Sequence, residues 1–271
     1  MSRVYFKIIA AMLFSFGLLS GCSGDKELLS NWTNQQIKID GETSDWQNNL
    51  EYLKDDNVAL GFKNDNNFLY ICLATNDFTK VFPMFRGGFI TWFEPENSGK
   101  TIGIKYPMHN ISNNNEQVPN SSEEIYNRRN PGEFINRMLA RQNEMQILNE
   151  DKLPLTDIPI ENKEGIEAKL GYHSDRFIYE LKIPLNDNKY AYKISALPGE
   201  KIKIKFETEE PERKNFGGGR EGDMSMRGEG GEKSGFGGER PEGGRRFGMR
   251  NGNRGSFEPL NFSVEVTLKK D

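Results

Sequence analysis

Cysteine and histidine are nearly absent from this chain, with two of each in 271 residues. That scarcity leaves little material for a metal centre or thiol chemistry, and no CxxC pair or HExxH run is present. A P-loop and a GxGxxG turn are missing too, which removes the common phosphate and dinucleotide cradles. Charge of one sign is also lacking. The 36 basic and 40 acidic residues leave a net charge of −4, so no global positive field argues for a nucleic-acid partner. The apolar fraction is low at 35%, while glycine reaches 28 residues. One well-packed core with a polar surplus fits those totals better than two full cores. His109 and His173 stand in polar surroundings without a Ser or Cys nucleophile motif beside them, so a non-catalytic chain is expected.

No apolar run reaches the roughly 20 residues that a membrane-spanning helix needs. The run from Ile8 to Leu19 is shorter, follows the positive Arg3 and Lys7, and has the length of a signal-peptide core. It ends in Leu19-Ser20-Gly21-Cys22, which resembles the lipobox of bacterial lipoproteins. That resemblance implies a signal peptide over 1–21 and lipidation of Cys22, with the bilayer as a partner. It also implies a lipid-anchored place in the bacterial cell envelope, with the outer membrane expected and either its periplasmic or its surface face open. The polar stretch 22–34 reads as a tether. Cys72, within an apolar strand pattern and without a basic neighbour, reads as a buried free thiol.

The ordered part is expected over 35–271. Gln36-Ile37-Lys38-Ile39 alternates as a half-buried strand would, and Asp40-Gly41 breaks it. Trp46 then offers a large ring to bury. Further strand signals run over Val58 to Phe62, Phe68 to Ala74, Gly88 to Glu94, Thr101 to Tyr106, Ile166 to Tyr172, Phe177 to Leu185, Gly199 to Phe206 and Asn261 to Leu268. Asn64 to Asn67 reads as an Asx-rich turn. Helical spacing of Phe134, Ile135, Met138 and Leu139, extended through Met145, Ile147 and Leu148, predicts one inserted helix over about 131–149. The pattern as a whole predicts an all-β antiparallel sandwich, jelly-roll-like, interrupted by that helix.

A second interruption lies at 211–257, which holds 15 of the 28 glycines and ten basic against seven acidic residues. It has too little apolar surface to offset its ordering entropy and is expected to be disordered. It reads as a solvated spacer. Two other readings stay open: a sticky Arg/Phe/Gly tract contacting acidic polymers, and soft-metal capture through Met224, Met226 and Met249.

The run I-x-I-D-G-x-x-x-D-W over residues 37–46 resembles the opening of the family 9 carbohydrate-binding modules and their DOMON-like relatives. The Asn64 to Ile71 hairpin and the Tyr179-x-x-x-x-Pro184 strand bearing Glu180 resemble later motifs of that family, in the same order. The resemblance implies sugar held between aromatic rings, with nothing catalytic. The first ring position falls in the loop expected before the Gly88 to Glu94 strand, from Phe82 to Gly87, where Phe82 or Phe85 supplies the ring and Arg86 supplies planar donors. Trp92 is a further candidate, although a strand Trp is more often core. The second ring position falls in the glycine tract, which lacks Trp and Tyr. Structural calcium is implied too, with Asp40, Asp45, Asp65, Asp77 and Glu94 as candidate oxygen ligands. The expected function is therefore binding of an envelope or environmental glycan. The alternative is a structural or adaptor lipoprotein that contacts envelope proteins.

Overall fold

The computed structural model describes residues 25–108, 131–209 and 258–271. The expected signal peptide, Cys22, His109 and the glycine-rich tract lie outside the described residues.

Two sheets stack face to face. In chain order the strands are β1 (Lys26–Leu29), β2 (Asn31–Trp32), β3 (Glu51–Leu53), β4 (Val58–Asn64), β5 (Phe68–Thr75), β6 (Phe89–Pro95), β7 (Ile102–Lys105), β8 (Glu144–Asn149), β9 (Pro154–Pro159), β10 (Glu167–His173), β11 (Arg176–Pro184), β12 (Lys201–Thr208) and β13 (Asn261–Thr267). Helix α1 spans Phe78–Gly87 and α2 spans Pro131–Leu139. The seven-stranded sheet runs β1-β13-β12-β6-β7-β8-β9, and the six-stranded sheet runs β10-β11-β5-β4-β2 with β3 also on β4. The pairing is antiparallel except for β1 with β13 and β2 with β4. This is an all-β sandwich.

The core sits between the sheets, built by the alternation that the sequence carries. Phe177, Tyr179, Leu181 and Ile183 of β11 face Phe89, Phe93, Ile204 and Phe206 of the opposite sheet. Phe89 meets the Tyr179 ring edge-on at 5.2 Å, and the Tyr179 and Thr91 hydroxyls join the sheets at 2.9 Å.

Residues 26–32, read as tether, form two strands, because Leu28 and Ser30 are buried against β13 and β4. The stretch from Ile37 to Ile39 has strand periodicity but makes no ladder. It lies across the outer face of the six-stranded sheet, where Ile37 packs with Tyr70, Cys72 and Ile178. The helix expected over 131–149 stops at Leu139, and Glu144–Asn149 is β8. Met145 and Ile147 point inward with a period of two, which had looked like a helical continuation.

Among the described residues the sandwich therefore holds two α-helices. Helix α1 occupies what was read as a loop. Asp77 caps it by accepting from Thr79 N–H at 2.9 Å, and Phe78, Val81, Phe82 and Phe85 repeat at helical spacing. Pro83 within the helix has no N–H to offer the Thr79 carbonyl four residues back. Glu258 N–H, from the far side of the glycine-rich tract, donates to that carbonyl instead at 3.2 Å.

Strand registers define two ends of the sandwich. One end gathers Asp25, the turn after β3, α1, the end of β7, the β10–β11 turn, the end of β12 and the start of β13. The other gathers the Asp65–Asn67 turn, the β6–β7 turn, the loop after β11 and the C-terminus. Met108, Glu209 and Glu258, which flank the undescribed stretches, stand at the first end.

Candidate functional site

The outer face of the six-stranded sheet is covered along its middle, while Glu167 and Lys169 of β10 stay exposed. Glu180 of β11 points outward from the core, yet it is fully buried because the segment from Ile37 to Trp46 lies over it. One carboxylate oxygen accepts from the backbone N–H of Gly41 at 2.6 Å and of Asp40 at 3.0 Å. The other accepts from Trp46 Nε1–H at 2.6 Å. Burial pushes the Glu180 carboxyl up to about 7, against the opposing pull of these three donors. The fit also needs two glycines. Gly41 has φ +79°, and a Cβ there would stand 2.9 Å from the Gly171 backbone nitrogen. A Cβ on Gly171 would overlap the Gly41 carbonyl oxygen in turn.

This junction fixes the residues that follow it. Glu42, Thr43 and Ser44 form one wall of a surface cleft of about 450 Å³. The opposite wall is His173, Ser174 and Arg176, and buried Ile178 is the floor. Ser174 and Asp175 make the tight β10–β11 turn with φ of 51° and 57°, and Tyr172 O–H donates to Asp175 at 3.0 Å to brace it. The cleft brings a guanidinium, an imidazole, a carboxylate and three hydroxyls to one place. Among the described residues no hydrogen bond couples His173 to Ser44, Ser174 or Glu42 as a base to a nucleophile. Such a surface suits hydrogen bonding to a polyhydroxylated ligand.

The structure places the sequence candidates elsewhere. Phe82 and Phe85 are 0% and 3% exposed. Phe82 stacks on Phe134 at 6.5 Å, and Phe85 meets Phe177 edge-on at 5.9 Å. Their ring faces are used in packing, because a capped helix stands where a loop was expected. Arg86 is half-exposed in the last turn of α1. Trp92 lies on the outer face of the seven-stranded sheet, flat over Gly103, and is 4% exposed. Its Nε1–H donates to Glu207 at 3.1 Å. Burial works against the charge of Glu207, but Lys152 and Lys205 outweigh it and hold the carboxyl below its ordinary value. The four residues do not converge.

The candidate calcium ligands are also apart. Asp40 and Asp45 brace the segment over Glu180, Asp65 accepts from Asn67 N–H, Phe68 N–H and the Tyr70 hydroxyl, and Asp77 caps α1. Glu94 is exposed on β6. Among the described residues no group of three metal-ligating side chains gathers. Cys72 is buried, and burial pushes its thiol well above the ordinary value.

The cleft residues Glu42, Thr43, Ser44 and Arg176 escaped sequence reasoning. The signal for them was indirect: each flanks a turn of the motifs that carry Gly41 and Glu180.

These features define a two-sheet β-sandwich with a braced polar cleft at one end. No protein-family model matches the chain, and no curated protein matches it. Among solved structures the chain is similar to a family 9 carbohydrate-binding module from Caldicellulosiruptor kristjanssonii in complex with glucose. That likeness has 13% identity, 69% of this chain and 79% of that chain covered, and a TM-score of 0.33. A module from the same organism in complex with cellotriose is similar at 12% identity, covering 69% and 77%, with a TM-score of 0.34. A protein from Bacteroides uniformis is similar at 10% identity, covering 68% and 84%, with a TM-score of 0.37. The sandwich assignment stands on the strand pairing itself.

Proposed function

We propose that this chain is a lipid-anchored, non-catalytic binding protein of the bacterial envelope that takes a glycan in the cleft between Glu42–Ser44 and His173–Arg176. The observation that carries the reading is the brace beneath the cleft: three N–H donors converge on Glu180 and hold one wall in place before any ligand arrives. Pre-organised polar groups lose little entropy on binding hydroxyl-rich ligands. The anchor part of the proposal draws on Arg3, Lys7, the apolar run to Leu19 and Cys22.

A glycan array probed with the chain from Ser23 onward, with and without calcium, tests the binding reading. A reproducible hit that weakens at least tenfold in Arg176→Ala supports both the function and the cleft. A hit indifferent to Arg176→Ala and to Glu42→Gln moves the site elsewhere, and silence from a folded sample removes the glycan reading. An adaptor role in the envelope is a second reading, favoured by Leu153 and Leu155. They stand 58% and 52% exposed at β9, an edge strand of its sheet among the described residues. Envelope proteins captured by the wild type and lost with Leu155→Lys would support it.

A further inference from the structure

The chain between Cys22 and the folded domain is much shorter than its composition suggests. Asp25 is already fixed: its carboxylate accepts from Ser263 Oγ at 2.6 Å and pairs with Lys203 Nζ at 2.7 Å. From Lys26 onward the chain is in ladder with β13, Lys26 opposite Val264, and Leu28 is buried. Only Ser23 and Gly24 separate Cys22 from Asp25. Three fully extended residues span about 10 Å.

We infer that the end of the sandwich carrying Asp25 and the turn after β3 is a lipid-facing surface, held against phospholipid headgroups. This rests on the proposed lipidation of Cys22. An acyl-bearing Cys22 sits at the level of the headgroups, so Asp25 lies within about 10 Å of them. β1 runs parallel to β13, which places Asp25 beside Ser263 at the start of β13 and beside Lys54 in the turn after β3. The opposite end, marked by the Asp65–Asn67 turn, lies a strand length away. β4 has seven residues, which at about 3.3 Å each is roughly 23 Å. Had 22–34 been a free tether, the domain would sample all orientations at a root-mean-square reach of roughly 20 Å. Insertion of 26–29 into the sheet removes that freedom. The cleft wall His173–Arg176 belongs to the same end, so the ligands it meets first are those at the membrane surface.

Depth-dependent quenching in vesicles of phosphatidylethanolamine and phosphatidylglycerol tests the inference. The full lipidated chain would carry a fluorophore at Lys54→Cys or at Asn66→Cys, both exposed positions. Cys72 is buried and a lipidated Cys22 has no free thiol, so the label goes to the introduced position. Headgroup-attached nitroxide lipids are expected to quench the Lys54→Cys label several-fold more than the Asn66→Cys label. Inserting ten Gly/Ser residues between Gly24 and Asp25 is expected to level the two. Equal or reversed quenching without the insertion, on protein whose Cys22 peptide carries the acyl mass, overturns the orientation alone. An N-terminal peptide without that mass overturns the anchor reading and the orientation with it.

Discussion

Trp46→Phe separates the electrostatic part of the Glu180 junction from its packing part, and pH is the means of separation. The indole N–H donates to the Glu180 carboxylate at 2.6 Å in a site that water does not reach. Phenylalanine keeps a ring in the pocket but has no donor. With Glu180 protonated, the loss is mainly the smaller ring and the space it leaves, about 1–2 kcal/mol. With Glu180 ionised, a charge-assisted hydrogen bond is lost as well, worth about 1.5–3 kcal/mol more.

The sign follows from burial. The folded carboxyl titrates at about 7, above its ordinary 4.5. A group raised in this way contributes its stability fully below 4.5, and the contribution is lost as pH rises through 7. For a shift of this size the wild type should lose about 3 kcal/mol across that window. Removing the Trp46 donor raises the folded value further, so the decline should continue to higher pH in the variant. Urea unfolding followed by circular dichroism at pH 5 and pH 8.5 measures both penalties. A Trp46→Phe penalty equal at the two pH values would refute the claim that Trp46 stabilises the charged form of Glu180.

Other perturbations probe the elements around the cleft. Gly171→Ala would drive a methyl group into the Gly41 carbonyl, and backbone on both sides leaves little room to yield. A loss of about 1–3 kcal/mol is expected, with Trp46 becoming more accessible to acrylamide quenching; an unchanged quenching profile would argue against the close approach. Asp77→Ala removes the cap of α1 and should cost about 1–2 kcal/mol at neutral pH by calorimetry. Burial opposes the charge of Asp77, but hydrogen bonds from Thr79 and Asn57 hold its carboxyl below the ordinary value. Its contribution is therefore present at neutral pH and fades as pH falls through the carboxylate range, so the cost of Asp77→Ala should shrink there as well.

Much of the sandwich was legible because strand alternation is a local signal. Phe177, Tyr179, Leu181 and Ile183 separate from Ile178, Glu180 and Lys182 by period alone, and the structure puts the two sets on opposite faces. The Asn64–Asn67 turn was legible for a similar reason, since Asp65 makes its hydrogen bonds within the next few residues. Helix α1 was harder. Pro83 and Gly87 are residues that usually break a helix, while Phe78, Phe82 and Phe85 carry the helical spacing that prevailed. The ladder of β1 was not legible, because four residues pairing with a strand more than 200 positions away leave no periodic trace.

The sequence by itself determined which residues of the long alternating strands such as β11 face inward, where the sharp turns between them fall and that little material exists for metal or thiol chemistry. Those properties depend on residue type and on neighbours a few positions away. The tertiary structure alone decided that Glu180 is buried, that Phe82 and Phe85 are core, and that Asp25 is fixed three residues after Cys22. Each of those depends on which distant segment covers a face. Glu180 is shielded by Ile37 to Trp46, some 140 residues earlier. Burial by a remote segment changes the cost of a charge and the use of a ring without altering any local pattern.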